Sequence, residues 1–203
     1  SSSIPPRTQL ELRVHAAGLN FRDVLNVLGQ YPGEPGRLGG DVAGRIMPTE
    51  RSQLWLFGGD AIFGFAEGSL ASTTCTNAQF LGARPACVSF EQASTLPSSW
   101  TTTHVIFQGR NLHRAERLLV QAAAGGVGIQ AVSGAHWLGV MVLTSAGSPS
   151  KQAASRQMGI VRSCSSRDGS AFTFGETRHL CGLRLHVVLN SLSNAFVPAS
   201  LAA

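Results

Sequence analysis

The segment Leu118-Leu119-Val120-Gln121-Ala122-Ala123-Ala124-Gly125-Gly126-Val127-Gly128 constrains the fold of this chain more than any other. An apolar run enters a turn of small residues and leaves it as an apolar stretch of helical character, Gly126 to Leu138. Small side chains let a backbone approach a bulky anion. The first turn of a helix offers unpaired N–H groups and the positive end of its dipole. Ala122, Gly125 and Gly128 stand where the dinucleotide fingerprint places its three small residues, with alanine replacing the first glycine. The strand before and the helix after are the context this fingerprint needs. The segment predicts a pyrophosphate cradle made by Ala122, Gly125, Gly126, Val127 and Gly128. The plainer alternative is a tight strand–helix turn in a ligand-free α/β fold.

The flanking residues select the dinucleotide. An NAD site usually places an acid about 20 residues past the glycines, on the ribose 2′-hydroxyl. No Asp or Glu occurs between Glu116 and Asp168. The next apolar run ends in Thr144-Ser145-Ala146-Gly147-Ser148, with Lys151 just beyond. Hydroxyls such as Ser145 together with a lysine suit a 2′-phosphate, so NADPH is the expected cofactor. Lys151 read as a solvated helix residue is the alternative.

Around this motif, strands alternate with helices. The expected order is Leu118–Ala122 (strand), Gly126–Leu138 (helix), Val140–Thr144 (strand), Pro149–Met158 (helix), Ile160–Arg162 (strand) and His186–Asn190 (strand). Such alternation indicates βαβ units and a parallel sheet. The first half reads differently. Gln9 to Ala16 alternates polar and apolar, the period of a half-buried strand. Phe21 to Leu28 is a short helix that Gly29 stops. Tyr31 to Gly36 is turn chemistry, and Asp41–Ile46, Asp60–Phe65 and Leu70–Cys75 are further strands. Dense glycine and short strands suggest a small barrel. Ser89 and Gln92 form a capping box that opens a helical stretch reaching about Gln108, with a break near Pro97. The pattern change sets a boundary at residues 1–90 and 91–203.

Composition removes several classes of function. The 203 residues are 43% hydrophobic, enough for a core, and only 13% charged, against about 25% in ordinary soluble domains. The net charge is 16 − 11 = +5, with the basic residues scattered. A nucleic-acid groove would mass them beside aromatics. No apolar run approaches the ~18 residues of a membrane span, and residues 1–9 lack the apolar core of a signal peptide. Cys75, Cys87, Cys164 and Cys181 show no C-x-x-C spacing, and the six histidines show no metal spacing. These features fit a cytoplasmic protein with no nucleic acid and no membrane, its cysteines free thiols or, as the alternative, paired in disulfides.

A family resemblance runs through the chain in order. Ala17 to Leu25 (AGLNFRDVL) resembles the signature of enoyl-reductase domains in polyketide synthases and animal fatty acid synthase, members of the medium-chain dehydrogenase/reductase superfamily. Leu38 to Gly44 (LGGDVAG), Gly59 to Gly64 (GDAIFG) and Ser89 to Pro97 (SFEQASTLP) resemble its next elements. Ala122 to Gly128, the SSRD of Ser165 to Asp168, and Val187 to Leu192 (VVLNSL) continue the series.

The resemblance implies an α/β chain. An N-terminal GroES-like β-barrel, residues 1–90, would precede an incomplete Rossmann-type NADPH-binding domain, residues 91–203, with NADPH held between them. It implies reduction of an α,β-unsaturated thioester carried on an acyl carrier protein, alongside other domains of a synthase. Hydride would reach the β-carbon and a proton the α-carbon, with no metal. Asn20 and Phe21 stand where alcohol-dehydrogenase relatives carry a zinc ligand, which favours the zinc-independent branch. Tyr31 resembles a substrate-facing tyrosine able to give the proton; it could instead pack on the barrel rim. Lys151 and Asp168 resemble a Lys/Asp pair that is an alternative proton source, and Arg167 could meet the 2′-phosphate. Asn20 would lie near the nicotinamide or the thioester carbonyl, or simply cap a turn. Thr101 and Thr102 resemble the start of the helix lining the nicotinamide pocket, or bond backbone.

Departures from the family pattern are Gln121 in place of a usual His, the polar Ser98-Ser99-Trp100, and a shortened stretch from Gly159 to Ser163. Family members also continue beyond the point where this chain ends, so a fragment or truncated product is expected. A free-standing quinone oxidoreductase and a non-catalytic fragment are the competing readings.

Overall fold

The computed structural model of the chain describes residues 9–48, 56–160, 163–166 and 185–191. The chain divides into two compact units between Thr101 and Thr102. The sequence pattern changes earlier, at 90/91. The two positions differ because α2 (Phe90–Ser94) packs against strands of the first unit.

The first unit is built on one antiparallel sheet. Its strands are β1 (Gln9–Gly18), β2 (Asp41–Ile46), β3 (Ala61–Phe65), β4 (Thr73–Asn77) and β5 (Leu81–Ala83), in the order β4-β1-β2-β3-β5. Alternation sets the faces: Leu10 and Leu12 of β1 are buried, while Glu11, Arg13 and His15 are exposed. The core gathers Leu10, Leu12, Val42, Ile46, Leu56, Ile62, Ala66 and Leu81. The helix expected at Phe21–Leu28 is α1 (Phe21–Val27), and Gly29 follows it at φ 66°. The strand expected at Leu70–Cys75 begins only at Thr73. Leu70 donates its N–H to Leu38 O and stays in a connection, while Gln9 to Arg13 of β1 pair with Thr73 to Asn77. The capping box forms: Gln92 N donates to Ser89 Oγ at 3.2 Å and Ser89 N to Gln92 Oε1 at 3.0 Å. The break near Pro97 separates α2 from α3 (Pro97–Arg110).

The second unit holds a parallel sheet of β6 (Arg117–Val120), β7 (Met141–Ala146), β8 (Ser163–Ser165) and β9 (Val187–Leu189), in the order β8-β7-β6-β9. The helices α4 (Gly126–Leu138) and α5 (Pro149–Gln157) follow β6 and β7. Numbered within the unit, this strand order is 3-2-1-4, one side of a doubly wound nucleotide-binding sheet. Its core contains Leu118, Val120, Ala131, Val132, Ala135, Val142 and Leu189. Of the strand expected at Ile160–Arg162, only Ile160 is among the described residues. Ile160 is buried in the core with its N–H on Ser155 O, ending α5 rather than extending, and the ladder is made by Ser163–Ser165. Residues 161 and 162 are outside the described residues.

Candidate functional site

In an open parallel sheet, ligands settle beyond the carboxyl ends of the strands, where the strand order reverses. Here that point lies between β6 and β9. The two strand ends are joined there: Gln121 N donates to Leu189 O at 3.0 Å, and Ser191 Oγ to Gln121 O at 3.2 Å. Gln121, which replaces the family's usual His, is fully buried. The chain then turns through Ala122 at φ 49°. Gly125 N bonds Ala122 O at 2.9 Å, and Ala123 N bonds Ser145 O at 3.1 Å, tying the turn to the end of β7.

Two glycines of this turn sit in different spaces. A Cβ at Gly128 would lie 2.6 Å from Ala122 O and 2.7 Å from Ala123 Cα, both backbone atoms, so only glycine lets α4 seat on the strand end. A Cβ at Gly126 would meet nothing within 4 Å. The N-cap of α4, Gly125, has no side chain to accept the first N–H groups. The helix therefore starts open and uncapped at the switch point, an arrangement that suits a pyrophosphate.

Beside it, Ser145 is fully buried and its Oγ has no hydrogen-bond partner among the described residues; Thr144 Oγ1 and the Oγ of half-buried Ser163 also lack one. Leaving a buried hydroxyl unsatisfied costs about 1–3 kcal/mol. Lys151 stands in the first turn of α5, its N–H on Ser148 Oγ at 3.3 Å, its side chain exposed. Open N–H groups, orphaned hydroxyls and a nearby cation are a donor set that fits a phosphorylated dinucleotide. Arg167 and Asp168 lie outside the described residues. Among the described residues, no group of three His, Cys, Asp or Glu could hold a metal ion. No helix there is long and apolar enough to cross a membrane.

The first unit carries the remaining candidates. Asn20, half-buried, is the N-cap of α1, and its N–H donates to Asp23 Oδ2 at 2.9 Å. Asp23 is buried, and its other oxygen accepts Gly39 N at 2.9 Å. That carboxylate therefore joins the start of α1 to the turn before β2. Tyr31 is half-buried after α1 with the Arg22 guanidinium 5.0 Å from its ring centroid. Its hydroxyl makes no hydrogen bond to the described residues, so it is open to a ligand. Thr101 and Thr102 are exposed on α3. Thus Asn20 and Tyr31 flank one short helix of the first unit, and the glycine turn, Ser145 and Lys151 lie at or just beyond the carboxyl ends of β6 and β7 in the second.

No protein-family model matches the chain. The spectinabilin polyketide synthase system protein NorB of Streptomyces orinoci is 37% identical over 196 residues, 95% of this chain and 9% of that protein. The CurK enoyl reductase superposes with a TM-score of 0.86 at 34% identity, over 100% of this chain and 64% of that one. The chain is a homologue of polyketide synthase enoyl reductases. A mycobacterial protein, Rv1454c, solved in complex with NADPH, superposes with a TM-score of 0.87 at 26% identity, again over 64% of its length. This enoyl-reductase homologue thus spans under a tenth of that synthase protein and 64% of each of those two solved chains. Its two units correspond to the GroES-like and Rossmann-type parts of the medium-chain dehydrogenase/reductase fold.

Two contributors were not singled out from the sequence of this homologue. Arg22, over Tyr31, has no local sequence signal beyond its place in the NFRDVL run. Asp41 is 2% exposed and accepts Ser98 Oγ at 2.7 Å and Ser98 N at 3.2 Å, fixing the first turn of α3, which carries Thr101. An acid opening the otherwise apolar Asp-Val-Ala-Gly strand is the signal that could have found it.

Proposed function

We propose that the chain carries an NADPH-dependent enoyl reductase site. It would act on the α,β-double bond of a thioester held by an acyl carrier protein within a cytoplasmic synthase. The observation that carries this reading is the uncapped start of α4 at the switch point, next to the orphaned Ser145 hydroxyl. When bound, NADPH supplies the hydride for the β-carbon. The N–H groups of Gly126, Val127 and Gly128 take the pyrophosphate, with Ala122 and Gly125 shaping the turn. Ser145, Lys151 and Arg167 take the 2′-phosphate, and Thr101 lines the nicotinamide. Asn20 donates its amide to the thioester carbonyl, which accumulates negative charge as the enolate forms. The Tyr31 phenol gives its proton to the α-carbon; Lys151 and Asp168 are the alternative source.

Fluorescence titration with NADPH and NADH tests the cofactor half. NADPH binding the tighter of the two is expected. Equal or tighter NADH binding removes the 2′-phosphate assignment, and no binding of either by folded protein removes the site. Lys151→Ala is expected to weaken NADPH about tenfold or more and leave NADH unchanged, the scale of one lost charge-assisted hydrogen bond. Turnover of crotonyl thioester is expected; turnover of small quinones alone would make the chain a quinone reductase.

A further inference from the structure

Tyr31 presents a hydroxyl that bonds nothing among the described residues, so something other than that hydroxyl must orient its ring. The segment from Tyr31 to Gly36 leaves α1 and folds back on it. Gly33 at φ 142° and Gly36 at φ 67° make the bend. The Pro35 carbonyl returns to α1 and accepts two donors, Arg22 Nη2 at 3.4 Å and Asn26 Nδ2 at 2.7 Å. The same Arg22 lays its guanidinium 5.0 Å from the centroid of the Tyr31 ring. A Cβ on Gly36 would lie 3.1 Å from Glu67 Oε1 and 3.5 Å from Arg22 Nη2, so the bend runs in contact distance of the guanidinium.

Resting on the assignment of Tyr31 as proton donor, we propose that Arg22 is its positioning residue: the guanidinium covers one ring face while its Nη2 donates to the returning turn. A guanidinium suits both tasks, because it is planar, stacks on aromatic faces and donates along its edge. An ammonium stacks as a point charge and cannot also grip Pro35 in the same way. Asn26 secures the turn without touching the ring, so the two straps on one carbonyl are separable by mutation. Misplacement of a reacting group by a small distance is enough to lower a rate strongly.

Tyr31 is the only tyrosine in the chain, so ring-labelled tyrosine gives one set of NMR signals that needs no assignment. The full chain is compared with Arg22→Gln, Arg22→Lys and Asn26→Ala. Arg22→Gln is expected to move the ring signals most of the way to those of free tyrosine, Arg22→Lys to restore part of the difference, and Asn26→Ala to move them little. Ring signals unchanged in Arg22→Gln, or moved as far by Asn26→Ala, would overturn the proposal. In turnover, Arg22→Gln is expected to lower kcat about tenfold or more with NADPH affinity unchanged, and to add nothing in a Tyr31→Phe background. An equal loss in both backgrounds would also overturn it. Should Tyr31→Phe turn over at the parental rate, the proton-donor assignment fails, and the ring signals still decide whether Arg22 sets the ring.

Discussion

At Ala122 a residue with a Cβ occupies the left-handed region, φ 49°. That conformation costs an L-residue about 1–2 kcal/mol. A glycine there would escape that cost but lose about 0.5–1 kcal/mol in chain entropy. The difference favours glycine slightly, so Ala122→Gly is expected to be neutral or to stabilise by up to about 1 kcal/mol in urea unfolding. Six residues on, the sign reverses. Gly128→Ala would force a methyl to 2.6 Å from Ala122 O, and backbone cannot step aside as a side-chain tip does. Overpacking of this kind costs about 1–3 kcal/mol. The same urea experiment is expected to show that loss, together with weaker NADPH binding. The sequence made both positions legible as small residues in one motif. It did not say that one glycine answers to packing while its neighbour Gly126 answers to open space, because that depends on where the strand end lies against the helix.

Element boundaries follow hydrogen bonds that the local pattern does not announce. The apolar run of β6 reaches Ala122 in the sequence, but its strand ends at Val120, since the positive φ of Ala122 breaks the extended chain. β7 starts at Met141 and not at Val140, whose N–H is taken by Ala135 O at the end of α4. The start of α2 is a case where the local code suffices, through Ser89 and Gln92. Replacing Ser89 by Ala removes the cap and is expected to destabilise the first unit by about 0.5–2 kcal/mol. Glu91 in the same turn is held below its ordinary value of 4.5, first by its backbone hydrogen bond, then by the Ser89 hydroxyl and the charge of His15. A carboxyl lowered in the folded state adds stability above its ordinary value, and that stability is lost as pH falls through the folded value. Glu91→Gln is therefore expected to lower the melting temperature slightly at pH 7 and not at pH 2–3. Equal effects at both pH values would mean the charge contributes nothing.

For the molecule as a whole, the order of the two units could be read from local motifs. The pairing of β9 with β6 could not, because it joins residues some 70 positions apart through contacts no short window contains. Yet that pairing creates the switch point on which the cofactor assignment depends, so the whole-chain consequence is the one to measure. A ligand that binds only the folded state stabilises it by RT ln(1 + [L]/Kd), about 2.7 kcal/mol at a hundred times Kd. For a chain of 203 residues, each kcal/mol raises the melting temperature by about 2–4 °C. NADPH at that saturation is expected to raise it by about 5–10 °C. NADH at the same concentration should raise it less, by whatever the 2′-phosphate contributes through Ser145 and Lys151. Hydrogen exchange should locate the gain, with the added protection greatest from Ala122 to Ile129 and at the end of β7. Equal melting shifts from the two dinucleotides would remove the 2′-phosphate from the site. A shift with no added protection at the glycine turn would move the nucleotide away from the switch point altogether.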